Sequence, residues 1–378
     1  MKVMTVVGTR PEIIRLSRVI HRLDDTVDHV LVHTGQNYDY QLNEVFFEDL
    51  DLRKPDHFLQ VDTSTLGHVL GETLIKSEIV LRTEQPDAVL VLGDTNSCIA
   101  AVMAKRMKIP VYHMEAGNRC FDENVPEETN RRLVDHVADF NLVYTEHARR
   151  NLLAEGLHPR RIIKTGSPMR EVLDAYRNQF EQSDVVQRLG LSPRGYFLVS
   201  AHREENVDSP DRLRELLHGL TAVHDALELP IFVSTHPRTR KRLEALDDWR
   251  PSPWITFSEP LGFHDYIKLQ LEAACVLSDS GTISEESSML NFPAVTMRDS
   301  IERPEALDTG AITMTGLRSD DMVAAVRLAM DTTDADRDSL VPDDYKITNT
   351  SGRVVRFILS TAHRHHQWAG IRDGGANG

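Results

Sequence analysis

The sequence predicts an α/β fold of two doubly wound domains with a cleft between them, and two observations support that prediction. Short apolar runs rich in β-branched residues alternate with longer amphipathic stretches through the first half of the chain. The same alternation starts again at Phe197 and continues to about Met297. Strands that are apolar on both faces and separated by helices form parallel sheets covered on both sides.

The first half of the chain contains strand candidates at Lys2–Val7, His29–His33, Ala88–Leu92, Val111–Met114, Asn141–Tyr144 and Ile162–Lys164. Helical periodicity fills the intervals, as in Glu12–Leu23 and Leu66–Thr83. The second half contains strand candidates at Phe197–Ser200, Ile231–Ser234, Ile255–Phe257, Ala274–Leu277 and Ala294–Met297. Between these strands, Pro210–Ala226 and Ser284–Leu290 are predicted to be helices.

We place the domain boundary in a polar region that has little strand signal. Residues 1–172 form the first predicted domain and residues 173–349 the second, with Tyr176–Pro193 as the linker. The last predicted helix, Thr350–His366, is long enough to pack back on the first domain, so residues 350–370 are assigned there. We interpret its histidine-rich end as a solvated face and expect the tail Gly374–Gly378 to be disordered.

Composition and charge exclude several classes of protein. The chain has 378 residues, a net charge of −15 and no apolar run of the roughly 18 residues that a membrane helix needs. Such a negative field repels nucleic acid and anionic membrane surfaces, so neither is an expected partner. The apolar start Met1–Gly8 lacks the basic region of a signal peptide, and three distant cysteines argue against a disulfide framework. We therefore expect a cytoplasmic protein.

Ligands of doubly wound sheets bind beyond the carboxyl ends of the strands, so the residues that follow each strand are the candidates for function. The first strand is followed by Gly8-Thr9-Arg10-Pro11-Glu12. A tight glycine turn at a helix N-terminus, with an arginine beside it, is typical of a phosphate site. The alternative is a simple turn with a solvated arginine. The glycine spacing fits neither a dinucleotide fingerprint nor a Walker loop.

Two acids follow neighbouring strands of the first domain. Asp94 lies in Gly93-Asp94-Thr95-Asn96, and Glu115 directly follows an apolar strand. Carboxylates at such positions suit general acid–base chemistry, although Asp94 could be only a helix N-cap. A further acid, Glu127, follows Pro126, which is also how an ordinary helix begins. Glu127 and Arg131 are four residues apart and could form an ion pair on that helix.

The strand ends of the second half carry histidines, arginines and a small-residue turn. His202 and His236 each follow a strand and each has an arginine next to it or two residues later, which favours anion binding over a metal site. The turn Ser280-Gly281-Thr282 can hold a diphosphate with its backbone N–H groups. Glu286 is placed to accept hydrogen bonds from ribose hydroxyls, or is a surface acid. Arg303 adds positive charge near the same edge.

Taken together, these residues resemble the non-hydrolysing UDP-N-acetylglucosamine 2-epimerase family. The resemblance covers nearly the whole chain, and its segments fall in the family's order: Gly8–Glu12, Gly93–Thr95, His113–Gly117, Pro126–Arg131, His202–Asn206, Asp279–Glu286 and Arg298–Glu305. It implies a glycosyltransferase-B arrangement of two Rossmann-like domains, assembled as a homodimer. It also implies an isomerase that inverts C2 of a UDP-N-acetylhexosamine, with neither a cofactor nor a metal.

The resemblance also implies roles for individual residues. UDP would be eliminated across C1–C2 to leave a 2-acetamidoglycal, and would then add back after C2 is protonated on the other face. The catalytic residues implied are Asp94, Glu115, Glu127 and His202, with the individual acid and base roles left open. The substrate-binding residues implied are Arg10, Arg15, Arg131, His236, Ser280, Gly281, Thr282, Glu286 and Arg303.

Three departures from the family pattern bear on the sugar and on regulation. Arg15 stands where the family often has lysine, which keeps the charge but changes the geometry. The loop Asn118–Val125 and the segment His202–Asp208 are more similar to the branch that makes UDP-N-acetyl-L-fucosamine from a 6-deoxy-L-talose-type sugar. Tyr38–Gln41 departs from the segment where glucosamine enzymes bind a regulatory substrate molecule. The configuration at C4 and C5 and any allosteric activation therefore stay open.

Other functions remain possible from the sequence. A hydrolysing 2-epimerase would release free N-acetylmannosamine and UDP. A glycosyltransferase of the same fold would need an acceptor pocket but not carboxylates on both faces of the sugar. A nucleotide-sugar sensor would need no catalytic acids, and the presence of Asp94, Glu115, Glu127 and His202 argues against it.

Overall fold

The computed structural model describes residues 1–35, 47–246, 250 and 252–372, and the chain divides into two compact units. Unit 1 comprises residues 1–119, 126–172 and 347–378, and unit 2 comprises residues 120–125 and 173–346. Tyr38–Gln41 and the tail Gly374–Gly378 lie outside the described residues. No helix within the described ranges is long and apolar enough to cross a membrane.

Unit 1 is built on a parallel sheet of seven strands, in the order β3-β2-β1-β4-β5-β6-β7. The strands are β1 (Lys2–Val7), β2 (Asp28–His33), β3 (His57–Phe58), β4 (Ala88–Leu92), β5 (Val111–Met114), β6 (Phe140–Val143) and β7 (Ile162–Lys164). The α-helices whose bounds lie within the described residues are Arg10–Thr26, Leu66–Glu84, Ala100–Arg106, Pro126–Val137, Glu146–Ala154, Met169–Ala175, Thr350–Thr361 and His365–Ala369, and Met169–Ala175 continues into unit 2. Short 3₁₀ turns occupy Asn96–Ile99, Pro159–Arg161 and Ala362–Arg364.

Unit 2 is built on a parallel sheet of six strands, in the order β10-β9-β8-β11-β12-β13. The strands are β8 (Phe197–Ser200), β9 (Ile231–Ser234), β10 (Ile255–Ser258), β11 (Cys275–Ser278), β12 (Ala294–Thr296) and β13 (Thr313–Met314). The α-helices are Arg177–Gln182, Val185–Arg188, Glu204–Val207, Pro210–Leu227, Pro237–Glu244, Phe263–Glu272, Ile283–Leu290, Pro304–Asp308, Ser319–Asp331 and Asp334–Leu340, and Asp343–Lys346 is a 3₁₀ turn.

The winding direction reverses once in each sheet. In unit 1 the reversal lies between β1 and β4, and in unit 2 it lies between β8 and β11. Doubly wound sheets open a crevice at such a switch point, beyond the carboxyl ends of the two strands. The two topologies therefore place the turns after β1 and β4 together, and the turns after β8 and β11 together. These are four of the turns that carry candidate residues.

The predicted fold class is confirmed, and the predicted strands occur with ends shifted by at most one residue. The central strands are buried on both faces, which is why they appear in the sequence as unbroken apolar runs; all five residues of β4 are buried. Prediction missed β3 and β13, because strands of two residues are too short to show any periodicity.

The segment predicted as a linker is folded, and the predicted last helix begins at Thr350 as expected but is interrupted before His366. Tyr176–Pro193 contains the helices Arg177–Gln182 and Val185–Arg188, and Phe180 and Val185 are fully buried. These buried apolar side chains pack the segment against the rest of the protein, although most of its residues are polar. The C-terminal helix ends at Thr361 and a second helix starts at His365, whose imidazole contacts the Asp139 carboxylate at 3.1 Å. His365 is 6% exposed, so it is not part of a solvated face.

Candidate active site

The turn after β1 is closed by a carboxylate from its own helix. The backbone N–H groups of Gly8 and Thr9 donate to Glu12 Oε2 at 2.8 and 2.7 Å, and the Ser97 hydroxyl donates to the other carboxylate oxygen. Glu12 is 1% exposed, and burial raises the pKa of its carboxyl. Since Glu12 already satisfies these two amides, the phosphate site predicted at this turn now depends on the side chains of Arg10 and Arg15.

Asp94 lies at the turn after β4, where an arginine from another element holds its carboxylate. Arg131 donates from Nε at 3.0 Å and from Nη2 at 2.5 Å, both to Asp94 Oδ2. The side-chain amide of Asn130, one residue earlier on the same helix, donates to the Asp94 carbonyl at 2.9 Å. Asp94 is therefore fixed through both its backbone and its side chain. Its side chain is still 26% exposed, which leaves it accessible.

Glu115 follows β5 in a strained backbone conformation. Its φ of +64° lies in the left-handed region, which costs a non-glycine residue about 1–2 kcal/mol. Its carboxylate accepts a hydrogen bond from Arg15 Nη1, and the Asn118 side-chain amide lies 3.4 Å from the other carboxylate oxygen. Observed strain of this kind concentrates at functional sites, where it sets the direction of a side chain. Here the strain directs the Glu115 carboxylate towards Arg15, and Glu115 is only 8% exposed.

The helix Pro126–Val137 contributes the third predicted acid and the arginine that binds Asp94. Glu127 lies in its first turn and is partly exposed. Its neighbour Glu128 is almost fully buried and accepts hydrogen bonds from Arg131 Nη1 at 2.8 Å and from Arg132. Arg131 thus joins Asp94 to Glu128. The structure brings together Asp94 with Arg131, and Glu115 with Arg15.

In unit 2, a buried carboxylate holds the histidine turn after β8. Asp279 accepts the backbone N–H groups of His202 and Arg203, each at 3.0 Å to Oδ2, and the side-chain amide of Asn206 at 3.2 Å. The imidazole rings of His202 and His236 lie 5.7 Å apart. Burial lowers the pKa of His202, and the negative charge of Asp279 opposes that shift. The structure therefore holds His202 in place and favours its neutral form.

The turn after β11 presents backbone donors next to a cation. The N–H groups of Gly281 and Ser284 have no acceptor among the described residues. The hydroxyls of Ser280 and Thr282 are 3.0 Å apart. A Cβ on Gly281 would lie only 3.2 Å from Arg203 Nη2, so glycine leaves room for that guanidinium. Open amides, small hydroxyls and a guanidinium form the kind of group that binds phosphate oxygens.

Two further predicted ligands of unit 2 are largely buried. Glu286 is 8% exposed, and its Oε2 accepts a hydrogen bond from the Gln270 side chain at 2.7 Å. Arg303 is 3% exposed and lies 3.3 Å from Glu285 Oε2. This pairing favours a supporting role for Arg303 over direct contact with a ligand. Within the described part of the chain, no three acidic, histidine or cysteine side chains are grouped as metal ligands.

Sequence reasoning did not select Glu12 or Asp279 as site residues, although both organise site turns. Each is a buried carboxylate that accepts several backbone or side-chain donors. The local signal for Glu12 was the capping-box spacing Thr9-x-x-Glu12, and that for Asp279 was an acid between two serines in a strand-to-helix turn. Such acids satisfy backbone donors far more often than they contact a ligand, so either signal alone is weak.

The chain is similar to several known proteins along nearly its whole length. A profile of the family UDP-N-acetylglucosamine 2-epimerase matches residues 21–359. A UDP-N-acetylglucosamine 2-epimerase structure from Rickettsia bellii is 46% identical with a TM-score of 0.91, over 98% of this chain and 100% of the other. The Methanocaldococcus jannaschii UDP-GlcNAc 2-epimerase, solved with UDP-GlcNAc and UDP, is 35% identical with a TM-score of 0.89, over 95% and 100%.

A third similar protein is named for a different sugar. The UDP-2,3-diacetamido-2,3-dideoxy-D-glucuronate 2-epimerase of Pseudomonas aeruginosa is 33% identical over 364 residues, which cover 95% of this chain and 99% of the other. These proteins are named as UDP-sugar 2-epimerases, and their names differ in the sugar.

Proposed function

The chain belongs to the UDP-N-acetylglucosamine 2-epimerase family, and we propose that it inverts C2 of a UDP-N-acetylhexosamine. It is an isomerase, as the family name states. The observation that most supports this assignment is the pair of acids after β4 and β5, each held by an arginine. Inversion at C2 removes a proton from one face of the sugar and returns one to the other face, so two differently placed acid–base groups are needed.

The proposed reaction needs no external oxidant or reductant. A base removes the C2 proton, the C1–C2 double bond forms, and the C1–oxygen bond breaks with its electron pair leaving on UDP. The products are a 2-acetamidoglycal and UDP. In the return step an acid delivers a proton to the opposite face of C2, and a β-phosphate oxygen of UDP forms a new bond to C1.

We assign the proton transfers to Asp94 and Glu115, with Glu127 as a further carboxylate that stabilises positive charge at C1. Arg131 and Arg15 fix the first two carboxylates, and the fixed geometry avoids reorganisation when charge develops in the transition state. Arg10, the first residue of the helix Arg10–Thr26, is the third arginine of this unit that we assign to substrate binding. The individual acid and base roles depend on the sugar face that each group contacts.

We assign the diphosphate to unit 2. The open N–H groups of Gly281 and Ser284 and the guanidinium of Arg203 suit phosphate oxygens, and Ser280 and Thr282 add hydroxyls. His202 and His236 balance charge as UDP departs. Burial lowers the pKa of His202, so its ring is neutral in the free protein. The negative charge of an arriving diphosphate would raise that pKa and favour the charged ring. Glu286 would accept the ribose hydroxyls.

The sugar remains the finer part of the proposal. The similar proteins act, by their names, on UDP-N-acetylglucosamine and on UDP-2,3-diacetamido-2,3-dideoxy-D-glucuronate. The sequence of the loop Asn118–Val125 still predicts a 6-deoxy-L-talose-type sugar as the alternative substrate. We further propose a cytoplasmic homodimer. The cytoplasmic location is supported by the three cysteines, Cys98, Cys120 and Cys275, which are all buried as free thiols.

Solvent exchange at C2 tests the proposed function. The enzyme is incubated in D₂O with UDP-N-acetylglucosamine, and C2 is followed by NMR while UDP and free sugars are separated by chromatography. Deuterium at C2 of recovered UDP-sugar is the expected result. Accumulation of free hexosamine would instead identify a hydrolysing enzyme and overturn the proposal.

The same experiment with other sugars separates the branches. Exchange only with UDP-2-acetamido-2,6-dideoxy-L-talose, or only with UDP-2,3-diacetamido-2,3-dideoxy-D-glucuronate, would keep the reaction and change the substrate. Absence of exchange with all three UDP-sugars, from a protein that binds UDP, would overturn the epimerase assignment.

A further inference from the structure

A largely buried ionic cluster adjoins the turns that carry Asp94 and Glu115, and the reaction steps above do not use it. Its members are His113, Arg119, Asp135 and Glu155, which we call the His113 cluster. His113 and Asp135 are fully buried and Arg119 is 2% exposed, whereas Glu155 keeps 27% of its side chain exposed. Burying this many charged groups is costly unless each is paired, so their arrangement requires an explanation.

Nε2 of His113 faces a carbonyl oxygen, which can only accept, and Nδ1 faces a carboxyl oxygen, which can only accept when the carboxyl is ionised. Nε2 lies 2.7 Å from the Gly93 carbonyl oxygen, and Nδ1 lies 2.9 Å from Asp135 Oδ1. A neutral imidazole has one N–H group and can donate to only one of them. The other nitrogen would then face an oxygen lone pair with no proton between them, in a buried site.

Asp135 is the carboxylate partner in that pair, since its other contacts are donors. Arg119 Nη1 donates to Asp135 Oδ2 at 2.7 Å, and the Gly117 N–H donates to the same carboxylate at 3.1 Å. Arg119 also forms two hydrogen bonds of 2.7 Å with Glu155, and this contact holds the pKa of Glu155 below its usual value. His136 reaches Glu155 at 3.2 Å from the exposed side.

The cluster is attached to both acid-bearing turns. Gly93 directly precedes Asp94, and Gly117 lies two residues after the strained Glu115. Asp135 lies on the helix Pro126–Val137, which also provides the two side chains that hold Asp94. This helix therefore contacts the Asp94 turn directly, and its Asp135 contacts the Glu115 turn at Gly117. Asp135 also reaches the Asp94 turn indirectly, through His113.

We propose that His113 is a doubly protonated positioning residue that, paired with Asp135, fixes the Gly93–Asp94 turn relative to the Glu115–Gly117 turn. A doubly protonated ring satisfies both acceptors. Its charge, with that of Arg119, balances the two carboxylates of the cluster, which lowers the cost of burial. The inference rests on the proposed function only in its effect on the rate, since the protonation of His113 can be measured without any substrate.

Two substitutions separate the two hydrogen bonds of His113, because each variant keeps one of them and loses the other. The amide nitrogen of His113→Gln can replace Nε2 and donate to Gly93, whereas that of His113→Asn can replace Nδ1 and donate to Asp135. Either change releases one turn. We expect kcat for C2 exchange to fall about 30-fold or more in both variants, since small misplacements of catalytic groups carry costs of this order. KM should change far less, because neither turn belongs to the proposed diphosphate site.

His29→Gln is the matched control. His29 lies near the amino end of β2, with a side chain that is 1% exposed and contacts to Asp24 at 2.6 Å and Thr5 at 2.8 Å. It is a buried, doubly hydrogen-bonded histidine of the same sheet that contacts neither acid-bearing turn. Its replacement is expected to lower the unfolding midpoint and leave kcat unchanged. Equal losses of kcat in His29→Gln and the His113 variants would overturn a specific positioning role.

NMR of histidine labelled with ¹⁵N in the ring gives a direct and independent readout. The signals of His113 are identified by their loss in His113→Gln, and both nitrogens are expected to show the shift of a protonated nitrogen at neutral pH. One protonated and one bare nitrogen would overturn the proposal, whatever the activity.

If wild-type protein shows no C2 exchange, the proposed function fails while the NMR result still decides the state of His113. If wild type exchanges and both folded variants keep its kcat, the positioning role fails.

Discussion

Glu115→Gln is expected to lower the rate of C2 exchange by about a thousandfold, the usual loss when an acid–base group is removed. The glutamine amide has nearly the same shape, and its oxygen can still accept from Arg15, so the turn stays in place. The amide cannot take up or deliver a proton at C2. UDP is expected to bind as in wild type, since the groups assigned to the diphosphate lie in unit 2. Deuterium uptake at C2 and UDP titration measure the two effects separately.

Glu84→Gln provides the control for loss of a paired carboxylate. Glu84 lies in the same unit and contacts Lys2 Nζ at 3.0 Å and His57 Nε2 at 2.8 Å. Its amide variant should exchange C2 at the wild-type rate. Full exchange activity in Glu115→Gln would exclude Glu115 from the proton transfers. Loss of both exchange and UDP binding would indicate a folding defect, which the unfolding midpoint of the same variant checks.

Gly117→Ala is expected to destabilise the protein by about 3 kcal/mol, because a left-handed backbone and a steric overlap both penalise alanine. Gly117 has φ +81°, and a Cβ there would lie 2.3 Å from the carbonyl oxygen of Ala148. The two atoms nearest to such a Cβ, the carbonyl oxygen and carbon of Ala148, both belong to the backbone, so no side-chain rotation relieves the overlap. The turn that carries Glu115 must then move. We expect kcat to fall about a hundredfold as well, because a displacement near 1 Å has that effect.

Gly156→Ala separates the steric overlap from the backbone strain. Gly156 has a similar φ of +86°, but nothing lies within 4 Å of an added Cβ. Its alanine variant should lose only about 1 kcal/mol, the cost of the left-handed conformation, and keep wild-type kcat. Urea unfolding and C2 exchange measure both variants. Equal destabilisation by the two substitutions would contradict the close approach between Gly117 and Ala148.

The parallel sheets could be predicted because buried strands of this kind are unbroken apolar runs. Lys2–Val7, Ala88–Leu92 and Val111–Met114 were located without error, and the turns after the last two contained the candidate acids Asp94 and Glu115. The linker prediction failed on Tyr176–Pro193, where a few apolar side chains among many polar ones are buried. Average polarity does not reveal such anchors, because burial depends on the position of each side chain.

The partners of the site residues could not be predicted, because they are distant in sequence. Arg15 and Glu115 are 100 residues apart, and Asp279 binds the backbone of His202 from 77 residues away. No local pattern indicates which arginine meets which acid. The backbone of the first turn was misjudged for a related reason: Glu12 is close in sequence, but its burial and its bond to Ser97 depend on the folded sheet.

Positional isotope exchange tests most directly whether the enzyme breaks and remakes the bond between the sugar and UDP. UDP-N-acetylglucosamine, or whichever UDP-sugar undergoes C2 exchange, is prepared with ¹⁸O in the bridge between C1 and the β-phosphorus. Elimination makes that oxygen one of three terminal oxygens of UDP, which interchange by rotation before re-addition. We predict that ¹⁸O moves into non-bridging positions of recovered UDP-sugar while deuterium enters C2. Deuterium uptake with all of the ¹⁸O retained in the bridge would contradict elimination and re-addition of UDP.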